Sequence, residues 1–364
     1  MNALPTPESL QPSARLSLAR LAMFPRMRAL AWAGDVLYAS RQYELLKAAV
    51  SSEGAVRDLR WDHVGAFRPP WWRTATSANR LSFRLVRDGF HALAVLPSGG
   101  LVGAVPGAIV QLKPGENEFR ITHAITRGTR PLHITALPNG TVVWGEYFDN
   151  AARAEVHIYA SPDAGAAWSV VYTFPRGTIR HIHNIVHDPW QDCLWILTGD
   201  YGNECQILRA SYDFSKVVAV MRGNQQARAV ACIPAEDGIY FSSDTPLEAN
   251  HICHLDRQGK LSTLATIGSS SIFGCRVGAS MFFSTMVEPR AFNTDKNVRV
   301  YGAGNLQDWH ALRAWKKDLW PMALFQYGNA ILPDGVNSSP CLALTTIAVT
   351  PDDLATSLFS LRAE

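Results

Sequence analysis

Residues 185–200 read IVHDPWQDCLWILTGD: an apolar run, a tight polar turn near Gln191, and a second apolar run. Apolar residues on both sides of a Pro/Asp-rich turn are the pattern of a β-hairpin. The same unit recurs as LAWAGDVLYAS (30–40), LAVLPSGGLVGAV (93–105), ALPNGTVVWGEYF (136–148), ACIPAEDGIYFSSD (231–244), CRVGASMFFST (275–285) and LFQYGNAILP (324–333). The turns fall near Gly34, Gly99, Gly140, Gln191, Gly238, Gly278 and Gly328, and after a first gap of 65 residues their spacing is 40–51. That is the length of one four-stranded propeller blade.

A third strand follows four of the hairpins: VHIYA (156–160), ILRAS (207–211), ICHLD (252–256) and VRVYG (298–302). The sequence therefore predicts an all-β fold, a seven-bladed β-propeller of four-stranded antiparallel blades. Two β-sandwiches would not produce so even a period. The pattern assigns 1–25 to an N-terminal extension, 26–350 to a single propeller domain and 351–364 to a C-terminal tail, with short helices expected at 8–23 and 351–358. FRPPWWRTATSANR (67–80) reads as an exposed insertion loop, because Pro69 and Pro70 cannot lie in a central strand. One blade is expected to be completed by strands from both chain ends, with CLALTTIAV (341–349) a late outer strand and residues 36–40 near the closure.

Composition narrows the class. The 364 residues are 47% hydrophobic and 18% charged, with a net charge of +3, which excludes a disordered or disulfide-scaffold protein. No basic block marks a nucleic-acid partner, and no apolar run is long enough for a membrane helix. The six cysteines (Cys193, Cys205, Cys232, Cys253, Cys275 and Cys341) lack CxxC spacing, and five lie in apolar runs. They read as free and buried, which implies a cytoplasmic protein. No phosphate loop or nucleotide fingerprint occurs, so no cofactor is expected.

Residues 161–168, SPDAGAAW, match the Asp box S-x-D-x-G-x-x-W, with weaker echoes at Ser211 to Asp213 and at Gly304 to Trp309. In this turn Ser and Asp bond the backbone, Gly takes a positive φ and Trp packs between strands. The chain in this respect resembles the sialidase-like, BNR-repeat β-propellers. The resemblance implies a turn between the third and fourth strands of a blade, on the face opposite an active site, and activity on a glycan. The arginine motif of true sialidases has no match: Phe24-Pro25-Arg26 and Phe83-Arg84-Leu85-Val86 both depart from it. Related propellers include polysaccharide lyases that use His, Tyr and Arg.

Propeller topology locates the candidate chemistry. Innermost strands begin, and second strands end, on one face around the axis. Before or at the innermost strands stand His91, Arg130, His133, Arg180, His181, His183, Gln226 and Arg228; at the ends of the second strands stand Glu146, Tyr147, Asp200, Tyr201, Asp244 and Glu288. Arginine forks suit an anionic sugar, here Arg130, Arg180 and Arg228 beside His133 and Asp244. His181, His183, Tyr147, Tyr201, Glu146 and Asp200 are the expected catalytic set, as proton carriers and paired carboxylates. Trp71 and Trp72 in the insertion could stack on sugar rings. HxH is also a metal-ligand spacing, but His187 would lie about 13 Å along the strand, too far for a third ligand, so no metal is expected. The partner expected is an anionic carbohydrate and the activity glycoside hydrolase-like; a polysaccharide lyase using His, Tyr and Arg on the same fold, and a non-catalytic glycan- or protein-binding propeller, are the alternatives. Oligomeric state stays open.

Overall fold

The computed structural model describes residues 15–363. Seven sheets surround one axis, and all but the closing blade take their innermost strand first. Numbering blades from the N-terminal side, the innermost strands are Arg28–Gly34, Ala92–Val95, Thr135–Ala136, His181–Asp188, Ala229–Ala235, Ser271–Val277 and Asn329–Ile331. Blades 2 to 5 are plain antiparallel four-stranded sheets. Blade 1 gains a parallel inner neighbour, Asp334–Asn337, and blade 6 gains the outer pair Val349–Thr350.

Both faces of every blade are covered by its neighbours. The second strands Leu101–Val105, Cys193–Gly199, Gly238–Ser243 and Ser280–Thr285 are buried along their whole length. They therefore read as mostly apolar runs whose few polar members are small Ser and Thr, whereas outer strands such as Ser169–Phe174 are largely exposed. Between blades 3 and 4, Val143 and Ile158 pack against Ile182, Ile185 and Ile196. Each such side chain contributes about 1.5–3 kcal/mol of burial.

The ring closes in blade 7. Leu16–Pro25 pairs antiparallel with Ala355–Ala363, which pairs in turn with Cys341–Ile347. Both chain ends thus complete one blade, as the sequence implies, but with different strands. The helices expected at 8–23 and 351–358 are not helices: 16–25 and 355–363 are strands, and 8–14 lie outside the described residues. The propeller consequently reaches through much of the expected extension and tail. LSLARLAM alternates with period two, and cross-strand pairing prevails over its helix formers. Cys341–Ile347 is a second strand rather than an outer one. The hairpin expected at 324–333 is also absent, because Met322–Phe325 is a helical turn and Gly328 precedes the innermost strand. Residues 36–40 fall in blade 1, next to the closing blade.

The insertion is not a loop. It forms α1 (Trp71–Ala78) and α2 (Arg80–Val86), with the Asn79 side chain accepting from the Leu81 amide to cap α2. Arg84 anchors the pair. It is fully buried and bonds Asp318, Asp353 (3.1 Å) and the Phe325 carbonyl (3.0 Å from Nε), tying α2 to the loops of blades 6 and 7. Arg84→Met should lower stability by about 3 kcal/mol in urea unfolding, because buried Asp318 and Asp353 would lose their shared cation and keep only Lys317 and Arg80 beside them.

The Ser161 turn joins the third and fourth strands of blade 3. Ser161 Oγ donates to Asp163 (2.6 Å) and accepts from the Gly165 amide (2.7 Å), while Asp163 also accepts from Ala167. Gly165 sits at φ +90°, and a Cβ there would lie 2.5 Å from Val102. Ser211 and Asp213 repeat the same bond in blade 4. All six cysteines are free, five of them buried, and burial raises Cys193 to about 11 and Cys205 and Cys253 to about 12. Native protein should therefore react slowly with a thiol reagent, and denatured protein should titrate all six without prior reduction.

Candidate active site

His181 opens the innermost strand of blade 4 and pairs with Gly199 at the end of the second strand. The register slips between Ile182 and Asn184, leaving His183 as the extra residue of a β-bulge. A bulge re-aims its side chain. Here it brings the Nε2 atoms of His181 and His183 to 3.1 Å from each other. Gly199 makes the room: a Cβ there would stand 2.5 Å from His183 Cε1.

Asp200 follows directly. Its Oδ1 lies 3.4 Å from His181 Nε2, 3.5 Å from His183 Nε2 and 3.3 Å from Arg228; its Oδ2 lies 3.4 Å from Arg180. Burial alone would raise this carboxyl, but the two imidazoles and Arg228 outweigh it and hold Asp200 well below the usual range. Burial pushes the His183 imidazole down, with Asp200 pulling the other way. Each Nδ1 faces a backbone carbonyl, that of Phe148 for His181 (3.1 Å) and of Ala229 for His183 (2.8 Å). A carbonyl only accepts, so both Nδ1 atoms carry the proton and donate.

Around this core stand further groups. Arg228 lies 3.3 Å from Asp244 as well as from Asp200, and burial lifts the Asp244 carboxyl to about 6. The Tyr147 ring rests 4.4 Å from His181 and 6.3 Å from His183; burial, then the charges of Asp200 and Asp244, push its phenol up to about 12. Tyr201 is exposed, beneath Arg228. Blades 1 to 3 supply a basic half. Burial lowers Arg130 to about 9, and the charges of Arg28 and Arg87 push the same way. Burial lowers Arg28 to about 10, and its guanidinium contacts His91 at 2.9 Å. Neither arginine forms an ion pair among the described residues. Arg26, Arg28, Arg41 and Arg80 line an adjoining pocket beside α1.

Of the residues chosen from sequence, the structure gathers His181, His183, Asp200, Arg180, Arg228, Asp244, Tyr147 and, at the edge, Tyr201; Arg130 stands on the basic side. Glu146 is not among them. It is buried, paired with Arg127, and accepts from the His157 amide, because its side chain turns toward the third strand. His133 bonds Asp334 (2.9 Å), beside the innermost strand of blade 1. Trp71 is 83% exposed at the start of α1, and the Arg73 guanidinium lies over the Trp72 ring, 4.4 Å from its centre. His187 bonds Tyr212, away from the cluster. Sequence reading passed over Arg28, although it opens its innermost strand by the same rule that selected Arg130; the first hairpin was read from Leu30.

Among the described residues, His181, His183 and Asp200 form the group of potential ligands that could hold a metal ion. The third ligand that His187 could not supply comes from the adjacent strand end. Gly199→Ala should displace the His183 ring, cost about 1–3 kcal/mol in urea unfolding and shift the His183 ring signals in NMR spectra, with the propeller retained.

No protein-family model matches the chain, and no curated protein matches its sequence. Solved structures share the architecture. A chain of the mitotic checkpoint complex superposes with a TM-score of 0.57 at 10% identity, over 99% of this chain and 97% of that one. Virginiamycin B lyase from Staphylococcus aureus gives 0.58 at 10% identity, over 95% and 99%. The GH74 enzyme of Niastella koreensis gives 0.52 at 13% identity, over 81% of this chain and 46% of that one. At such identities the likeness is one of fold: the chain is a seven-bladed β-propeller. No helix among the described residues is long and apolar enough to cross a membrane.

Proposed function

We propose that this propeller is a carbohydrate-active enzyme that takes an anionic glycan at the axial mouth, with glycoside hydrolase-like chemistry. One observation carries the reading. Arg28 and Arg130 form no ion pair among the described residues, and they share the mouth with a cluster of histidines, Tyr147, Asp200 and Asp244. Uncommitted guanidinium forks recognise carboxylates. The Nε atoms of Arg180 and Arg228 are also buried without a partner among the described residues, so these forks too keep donors in reserve.

Hydrolysis would draw on Asp244, whose raised carboxyl suits a proton donor, and on ionised Asp200 across the Arg228 guanidinium. Glu146, bound to Arg127, has no part in it. Elimination is the second reading, supported by the Tyr147 phenol against His181. There the proton α to a uronate carboxylate leaves and the glycosidic oxygen departs with a proton from a neutral donor. Enzymes occur among propellers of this architecture: the GH74 enzyme, and the lyase rendered catalytically inactive by a histidine-to-alanine change. The Ser161 turn supports a place among the Asp-box propellers. The free thiols support a cytoplasmic setting, with imported or biosynthetic oligosaccharides as substrate.

Incubation with uronate- and sialate-containing oligosaccharides, followed both for new reducing ends and for absorbance of a new C=C bond, separates hydrolysis from elimination. Arg130→Ala should weaken binding of the active anionic oligosaccharide by about 10–100-fold, the worth of one charge-assisted contact. Equal affinity for neutral and anionic oligosaccharides would defeat the reading.

A further inference from the structure

The proton count in the His181, His183 and Asp200 cluster does not close. Both Nδ1 atoms are committed as donors to the carbonyls of Phe148 and Ala229. In the neutral rings both Nε2 atoms then present bare lone pairs, 3.1 Å apart and facing a carboxylate oxygen at 3.4 and 3.5 Å. Neither imidazole then offers a hydrogen at Nε2, and Asp200 Oδ1 takes its donor from Arg228 at 3.3 Å. A charge-assisted bond from an imidazole to a carboxylate runs to about 2.7–2.9 Å, and both nitrogen–oxygen edges are longer. The three edges, 3.1, 3.4 and 3.5 Å, lie close to the ligand-to-ligand spacings around a cation bonded at about 2.1 Å, which run from about 3.0 to 3.4 Å between octahedral and tetrahedral angles.

We propose that His181 Nε2, His183 Nε2 and Asp200 Oδ1 bind one divalent transition-metal ion. Two imidazoles and a carboxylate favour zinc, iron or manganese over magnesium or calcium, which prefer oxygen shells. Three protein ligands leave positions open for water or for an anionic oxygen. The surroundings are those of a built site. The two carbonyls fix the imidazole tautomers from behind, Gly199 leaves space for the His183 ring, and Arg180 at Oδ2 and Arg228 at Oδ1 hold the carboxylate in place. Burial keeps all three ligands from collapsing onto solvent: they are 5%, 3% and 9% exposed. The site shares Asp200 and the two histidines with the catalytic reading above; with Asp200 held by the ion, Asp244 and Tyr147 remain to handle protons.

The test is metal binding by the full chain, read without any substrate. Protein treated with a chelator and dialysed is titrated with Zn²⁺ by calorimetry and with Co²⁺ by visible absorption. The expected result is one ion per chain, cobalt d–d bands and a higher unfolding temperature in the presence of metal. His183→Ala and Asp200→Asn should each weaken binding by at least about 100-fold. Asp200→Asn nearly preserves side-chain volume, so circular dichroism can establish that the variant is folded while its affinity is read. His251→Ala, at a histidine outside the cluster, should leave binding unchanged. Absence of a stoichiometric ion in the folded wild type, or equal affinity in folded Asp200→Asn, overturns the proposal. Either result leaves the glycan reading to stand or fall on its own assay.

Discussion

No blade of this protein can bury its own faces. Each sheet carries apolar side chains on both sides, as in the fully buried strand Cys193–Gly199, and only the next blade can cover them. Such a series is stable only as a ring, so everything rests on the joint where it closes. That joint is the antiparallel pairing of Leu16–Pro25 with Ala355–Ala363. Leu16 and Leu18 pack with Phe359 toward Phe282 and Trp315 of blade 6, while Leu358 and Ala343 pack toward Trp32 and Leu37 of blade 1. One strand pair thus seals two interblade cores.

The same closure makes the site possible. Strands that taper toward an axis bring the starts of innermost strands and the ends of second strands from different blades together. Residues far apart in sequence, Tyr147, His183 and Arg228, become neighbours without any long loop to place them. Rigid strand ends hold them, which suits a site that demands fixed distances. The face also divides by charge. Blades 1 to 3 bring Arg28 and Arg130, which form no ion pair among the described residues, and blades 4 and 5 bring His181, His183, Asp200 and Asp244 with Arg180 and Arg228 among them.

How much of this the sequence disclosed depended on which physical scale set each feature. The blade rhythm was legible because hairpin turns punctuate it every 40–51 residues and because blade faces must be apolar. His181, His183 and Asp200 were legible as strand ends on one face. Their joint geometry was not: the bulge at His183 inserts a residue that no composition rule marks, and a strand in perfect register would not set the two Nε2 atoms at 3.1 Å. Glu146 failed for a related reason. It occupies the right position on its strand, yet Arg127, which no pattern singled out, draws the side chain away from the mouth. The insertion misled because Pro69 and Pro70, read as the mark of an open loop, instead stand just before α1. The terminal strands misled because LSLARLAM satisfies two periods at once, and only a partner at the other end of the chain decides between them.

That dependence on a distant partner has a temporal side. Leu16–Pro25 is made well before Ala355–Ala363. At about 5–20 residues per second the early strand waits roughly 20–70 s on the ribosome before its partner exists. Throughout that interval blade 1 lacks the neighbour that will cover Trp32 and Leu37, and the waiting strand offers an open edge to any other chain. Biosynthesis of this ring is therefore a race between its own C-terminal strand and foreign ones, and the last nine-residue strand to emerge settles it.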